Sequence, residues 1–486
     1  MRVLSKAALA VWVLVSWGAA YAQEDPQKPA VTEHPQVQGA LSLMDVWLQA
    51  VRDYDQLPGM SVGLVLDQEL IFSKGYGWAN VRRKVPADEN TIYSVCSISK
   101  LFTSIGVMQM RDAGHLTLRD PVAQHLEWVS IERKHAAAGP ARIEGLLTHS
   151  SGLPRESDFP YWTTAGHPFP TREQMIEQLA QQATLYPSAS LFQYSNLGMA
   201  LAGELVTLYG GGDYNTYVQS KILEPLGMAD TRPYFPNELH GRQMAIGYSG
   251  HLRDRKRRPL KPFDTRAIGP AAGFTSTVAD LARFASWNFR AVSGEQNPVL
   301  DGNTLREMQR VQWVDPDWET TWGLGFGVRE ANGQTVVGHG GGCPGYITSF
   351  AMVPKHKLAV IVLTNAADGN AGQIGAGVMK LVGGALQSAQ QPHKQTLPDH
   401  GDFEGRFGSD IWGGEALVRQ WGEQLAVVEL PWPGLQEITR LNHVDGDTFV
   451  RVTESGEKRE QWVFGRDSEG RVDRITRHSS MMLRLD

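Results

Sequence analysis

The sequence predicts an α/β (α+β) protein: an antiparallel sheet flanked by helices, followed by a small C-terminal antiparallel β-barrel. Three observations carry this. Strand-like pairs stand at both ends of the first 386 residues, helix-period runs fill the space between them, and turn signals recur at short intervals after residue 398.

The first 22 residues are set aside. Arg2 and Lys6 precede an apolar run from Ala7 to Ala20, and Ala20-Tyr21-Ala22 has the small-x-small pattern of a signal-peptidase site. The run is shorter than the roughly 20 apolar residues of a membrane span, and no other stretch comes close, so no stable span is expected. The mature chain is expected to be periplasmic or secreted, where the space is oxidising and two cysteines can pair if the fold brings them together. Removing Arg2 and Lys6 takes the formal charge from -6 to -8, which argues against a nucleic-acid partner. Five basic residues at 253, 255, 256, 257 and 258, closed by Pro259, read as a solvated surface loop rather than an anion site.

The first domain is expected over residues 23–386. A helix around Met44 to Tyr54 leads into "SVGLVL" and "ELIFSK", joined at Asp67-Gln68; the domain ends with "YITSFAMV" and "LAVIVLTN", turning at Lys355-His356-Lys357. Residues 387–398, "QSAQQPHKQTLP", lack apolar periodicity and read as a linker. From 399 to 486, Gly413-Gly414, Gly422-Glu423, Asp445-Gly446, Ser455-Gly456 and Ser468-Glu469-Gly470 separate short apolar segments, as in a small barrel or sandwich.

The chemistry begins at "VCSISKLFTS", residues 95–104. Ile98, Leu101, Phe102, Ile105 and Met108 keep helical spacing, and Gly114 is placed to end the helix. Ser97 then lies near the first turn, where the positive end of the helix dipole favours developing negative charge. Lys100 projects from the same face, and Ser99 points elsewhere. A serine hydroxyl needs a neighbouring base, which a desolvated lysine can supply. S-x-x-K matches arise by chance roughly once in a chain of this size. The second one here, Ser455 to Lys458, has no apolar helix behind it.

Further along, "FQYSNLGMALAGELV" sets Tyr194 and Asn196 before another helix-period run, and "VVGHGGGCPGY" sets His339 before Gly340, Gly341 and Gly342. These three motifs, in this order, resemble those of the penicillin-recognising serine hydrolases. The branch they are most similar to holds class C β-lactamases, D-alanyl-D-alanine carboxypeptidases, D-aminopeptidases and esterases. "LLTHSSGLP", "PAAGFTSTVADLARF" and "WGLGFGV" resemble family segments in the right order. The resemblance covers roughly residues 40–385 and implies a β-lactamase/transpeptidase-like domain; the C-terminal segment resembles the lipocalin-like barrel appended to such enzymes.

The resemblance implies a role for each residue. Ser97 attacks a carbonyl to form an acyl-enzyme, Lys100 and Tyr194 move the protons, and either could be the base. Asn196 bonds near Lys100 and the substrate, and the N–H groups of Gly342 and Ser97 form an oxyanion hole. His339 stands where β-lactamases of this branch carry lysine. With an ordinary pKa near 6.5 it would be cationic only part of the time at neutral pH, which leans the expectation toward peptide, amide or ester hydrolysis. Class A carbapenemases bridge the residue before their serine to the one two past the motif's glycine, and this implies a Cys96–Cys343 disulfide. Aromatics in "PRESDFPYWTTAGHPFP" either line a pocket or anchor their own loop. No G-x-S-x-G elbow, HExxH or cysteine ligand pair occurs, so no Ser-His-Asp site, metal or other cofactor is expected. The expected partner is a small-molecule or peptide substrate; a class C-like β-lactamase and a penicillin-binding receptor without turnover are the alternatives.

Overall fold

The computed structural model describes residues 31–163, 167–295, 299–331, 333–389, 397–431, 438–453 and 455–486. The segment read as a signal peptide lies outside them.

The first helix, α1, spans Pro35–Tyr54, nine residues earlier than the sequence pattern suggested. His34 caps it by accepting from the Gln36 N–H, and Pro35 occupies the first turn, where its missing N–H costs nothing. Val37, Ala40, Leu43, Met44, Trp47, Leu48 and Val51 form its buried stripe. Strands β1 (Gly59–Leu66) and β2 (Glu69–Asn80) follow as the expected hairpin. Helices α2 (Ser99–Asp112), α3 (Asn196–Tyr209) and α4 (Val278–Val292) are the longest helices of the described middle of the chain. Then come β3 (Gly327–Ala331), β4 (Gln334–Cys343), β5 (Tyr346–Val353) and β6 (Leu358–Thr364), and helix α5 (Ala371–Ser388).

The sheet runs β2-β1-β6-β5-β4-β3, with two-residue strands extending both edges. Its middle is the pairing of the two chain ends: β1 lies antiparallel to β6, from Met60 opposite Thr364 to Leu66 opposite Leu358. Period-two alternation buries both faces. Met60, Val62, Leu64, Val360 and Val362 pack toward α1 and α5, whereas Val65, Ala359, Ile361 and Leu363 pack toward the α2–α4 side.

Helix α5 runs two residues into the segment read as a linker, because Leu381, Val382 and Ala385 keep its buried stripe going and the polar end simply completes the last turn. Beyond the linker, eight strands close into a meander barrel: β7 (Gly405–Gly408), β8 (Glu415–Trp421), β9 (Gln424–Leu430), β10 (Thr439–Asp445), β11 (Thr448–Val452), β12 (Lys458–Arg466), β13 (Val472–Arg477) and β14 (Ser480–Arg484). Four of the five turn signals fall between strands, and the fifth, Asp445-Gly446, starts on the last residue of β10. The barrel is filled by side chains such as Phe407, Val418, Leu425, Phe449, Trp462 and Phe464.

The barrel is not a free appendage. Alternate residues of β8 and β9 (Leu417, Trp421, Ala426 and Val428) point outward and join the same buried cluster as Val37, Ala40 and Met44 of α1. This explains Gly39, a poor helix former in mid-helix: a Cβ there would stand 2.5 Å from the Gln420 carbonyl oxygen. In a free helix Gly39→Ala would gain about 1 kcal/mol. Here it should cost about 1–3 kcal/mol by overpacking, read as a lower thermal midpoint and faster proteolysis of the barrel. A gain in stability would contradict the docking.

Candidate active site

Residues Cys96–Ile98 form a single 3-10 turn that runs directly into α2, and Ser97 sits half-buried in it. Cys96 takes a left-handed φ of 50°, uncommon for a residue with a side chain. Three contacts hold it there. Ser99 Oγ donates to the Cys96 carbonyl at 2.5 Å and accepts from the Phe274 N–H at 3.0 Å, so Ser99 is a buried brace. Thr348 Oγ1 donates to the Val95 carbonyl at 3.1 Å. Cys96 is bonded to Cys343, the two Cα atoms 5.8 Å apart, which ties the nucleophile turn to the end of β4.

Lys100 is fully buried in α2. Its Nζ lies 2.8 Å from Asn196 Oδ1, 2.8 Å from the Ala271 carbonyl oxygen and 3.2 Å from Ser97 Oγ. Burial penalises the ammonium and pushes the lysine well below its usual pKa, Arg155 adds to this, and Glu156 opposes it. An uncharged amine has two N–H donors and one lone pair. The two carbonyl-type oxygens take the donors, and the lone pair is left for the serine hydroxyl.

Asn196 opens α3, and Ser195 caps that helix by accepting from the Gly198 N–H at 2.8 Å. With Oδ1 committed to Lys100, Asn196 Nδ2 donates to Glu156 Oε1 at 2.6 Å. Tyr161 donates its hydroxyl to the other Glu156 oxygen. Tyr194 faces the nucleophile, its hydroxyl bonded to the Ser97 side chain. Its ring lies beside two basic side chains, with Lys100 Nζ at 4.7 Å and the Arg155 guanidinium at 4.9 Å from its centroid. Burial nevertheless dominates and raises the phenol's pKa, so Tyr194 keeps its proton at neutral pH.

His339 and the glycines lie on β4. Pairing between β3 and β4 ends at Gly338, so from His339 onward that side of β4 carries no strand partner while the other side stays paired with β5. The three glycines differ. A Cβ on Gly341 would stand 2.2 Å from the Val95 carbonyl oxygen and 2.3 Å from Thr348 Oγ1, whereas on Gly340 the nearest atom is at 3.7 Å. The backbone of β4 thus crosses the nucleophile turn at Gly341.

His339 departs from the expectation of a part-time cation. It is 8% exposed, and burial above all lowers its pKa to about 3. Its Nδ1 lies 2.5 Å from the Gly340 carbonyl oxygen, which assigns the ring proton to Nδ1 and leaves Nε2 a bare acceptor. At neutral pH the position carries no charge.

The sequence reading missed three contributors. His149 packs against Tyr194 with centroids 4.3 Å apart and the rings tilted by 39°, Trp322 packs against both His149 and His339, and Glu156 orients Asn196. Their segments were visible, yet nothing in their spacing says that the loops fold back onto the second motif. In the 154–170 loop, Tyr161 and Phe169 are buried against each other as anchors. The same pair also walls a cleft of about 510 Å³, whose other lining includes Pro259, Lys261, Phe263 and Pro344. The basic loop is exposed apart from Arg257, which bonds Asp368 and the Asp55, Gln56 and Ser249 carbonyls. Among the described residues no group of three or more His, Cys, Asp or Glu could hold a metal, and no helix is long and apolar enough to cross a membrane.

A helix-flanked antiparallel sheet with a buried lysine against a serine defines a β-lactamase-like fold. Residues 47–382 match the beta-lactamase family, and the chain belongs to it. It is 25% identical over 379 residues to "Beta-lactamase-like protein 2" of Dictyostelium discoideum, covering 74% of this chain and 66% of that relative. Over 314 residues it is 25% identical to the Escherichia coli "D-alanyl-D-alanine-carboxypeptidase/endopeptidase AmpH", covering 63% of this chain and 78% of that one. A solved "octameric penicillin-binding protein homologue from Pyrococcus abyssi" superposes with a TM-score of 0.62 at 24% identity, covering 91% of this chain and all of that one.

The glycine contacts give a direct check. Gly341→Ala should lower stability by about 1–3 kcal/mol, since backbone must shift; Gly340→Ala should leave stability within about 0.5 kcal/mol of wild type. Equal effects would contradict the crossing at Gly341.

Proposed function

We propose that the protein is a serine hydrolase that turns over an amide, a D-amino-acid-containing peptide or an ester through an acyl-enzyme on Ser97. The observation that carries this reading is the buried Lys100, whose Nζ lies 3.2 Å from Ser97 Oγ and whose pKa burial lowers well below its usual value. Lys100 Nζ takes the hydroxyl proton as Ser97 Oγ bonds to the carbonyl carbon. The resulting ammonium has three donors, and Ser97 Oγ, Asn196 Oδ1 and the Ala271 carbonyl accept all three. Because Tyr194 keeps its proton, Lys100 rather than Tyr194 is the base. The Tyr194 phenol passes a proton to the departing nitrogen or oxygen and is resupplied by Lys100. Water then repeats the sequence on the ester. The N–H groups of Ser97 and Gly342 hold the oxyanion, as the family resemblance implies; losing one such donor typically costs about 10²–10³ in rate.

The substrate preference follows from His339. A neutral acceptor there offers no countercharge to a carboxylate, which disfavours efficient β-lactam hydrolysis and favours substrates without an acid group beside the scissile bond. Residues 1–22 and the disulfide support a periplasmic or secreted location, and the barrel over 399–486 serves as a docked accessory domain.

The test is turnover of short p-nitrophenyl esters, D-aminoacyl amides, D-Ala-D-Ala peptides and nitrocefin by wild type and Ser97→Ala. We expect ester or amide turnover that falls by at least about 10³-fold in the variant, with nitrocefin slow or inert. Rapid nitrocefin hydrolysis would overturn the preference. No difference between the two proteins on any substrate or fluorophosphonate probe would favour a binding protein without turnover.

A further inference from the structure

His149 is 1% exposed and sits at a left-handed φ of 58°, in the turn after a short helix. A non-glycine residue held there costs of order 1 kcal/mol or more, so its surroundings must fix it. Three contacts do, and all go to one place. Its carbonyl accepts from the Gln193 N–H at 2.7 Å, its Nδ1 accepts from the Ser195 N–H at 3.2 Å, and its ring packs on Tyr194. The residues before and after Tyr194 are therefore both bonded to His149, and the phenol rests on its imidazole.

We propose that His149 is the positioning residue of Tyr194, setting where the phenol stands relative to Ser97. This rests on the reading above, in which Tyr194 transfers a proton during acylation.

The chemistry of the contact makes it hard to replace. Ser195 caps α3 with its hydroxyl, and its own N–H precedes the helix, so that donor depends on an acceptor from elsewhere. Accepting at Nδ1 fixes the neutral imidazole as the Nε2–H tautomer. Burial above all, with Arg155 nearby, keeps the ring uncharged, which Nδ1 needs in order to accept. Phe192 and Trp322 close around the ring. Without the Nδ1 acceptor the buried Ser195 N–H is unpaired, and the chain at Tyr194 shifts to pair it. A displacement of about 1 Å at a catalytic group can cost roughly 10² in rate. A histidine that only fills the core would change stability and leave turnover alone.

The experiment compares His149→Leu, which keeps bulk but has no acceptor, with His149→Asn, whose Oδ1 stands where Nδ1 stood. Each is made in wild type and in Tyr194→Phe, and kcat, KM and thermal midpoint are measured with the best ester of the panel. His149→Leu should lower kcat by at least about 30-fold with KM within about threefold, and His149→Asn should stay within about fivefold of wild type. In the Tyr194→Phe background, His149→Leu should cost less than about threefold more, because the residue it positions has lost its hydroxyl. If His149→Leu fails to fold, His149→Gln, whose amide lies one bond further out, replaces it. Wild-type kcat in His149→Leu, equal losses in both backgrounds, or an asparagine no better than leucine each overturns the inference. Tyr194→Phe with wild-type kcat would instead remove the reading of Tyr194 on which it rests.

Discussion

Taking one lysine completely out of water organises this molecule. A buried ammonium is costly unless it is well paired, and the nearest carboxylate, Glu156, is held one residue away by Asn196. Lys100 has instead Asn196 Oδ1, the Ala271 carbonyl and the Ser97 hydroxyl, a set that satisfies both the amine and the ammonium. That dual fit is what a proton carrier needs. It also explains why α2, the start of α3 and the Ala271 segment must meet at one point, and so why the middle of the chain is helical layers packed on one face of the sheet.

The sheet supplies the second half of the site by ending a pairing. After Gly338, β4 leaves β3 but stays with β5, and Gly341 lets its backbone cross the Val95 carbonyl. The Cys96–Cys343 bond closes the same junction covalently across 247 residues of sequence. The entropic account of such a loop gives at most roughly 5 kcal/mol. On the opposite face, α1 carries the barrel, which places that domain behind the sheet, while Ser97 and Lys100 belong to the helical side.

Much of this was legible in the chain. The hairpins of β1–β2 and β5–β6 announced themselves by apolar runs around turn residues, and the five barrel turns by glycine. The start of α1 was missed: Pro35 stands in its first turn, where the missing N–H costs nothing, and Gly39 admits the barrel. Ser97, Lys100, Tyr194 and Asn196 could be assembled because their motifs, with the later glycine run, follow the order of the family they resemble. His149 and Glu156 could not: their roles come from loops returning through tertiary contacts, which no local period encodes. The charge of His339 differs from the expectation for the same reason, since sequence names the residue while burial sets its protonation.

The central claim is that burial lowers the pKa of Lys100 far enough for its amine to take the proton of Ser97. The direct measurement is the rate of fluorophosphonate labelling of Ser97 between pH 5 and 11, in wild type and in Lys100→Ala, with the labelled residue confirmed by peptide mass. The reactive form exists above the pKa of Lys100, which burial lowers from 10.5. Labelling should therefore reach its plateau well below pH 10 and fall by at least about 10²-fold in the variant. A rate that keeps climbing through pH 10, or that survives in Lys100→Ala, would contradict the account.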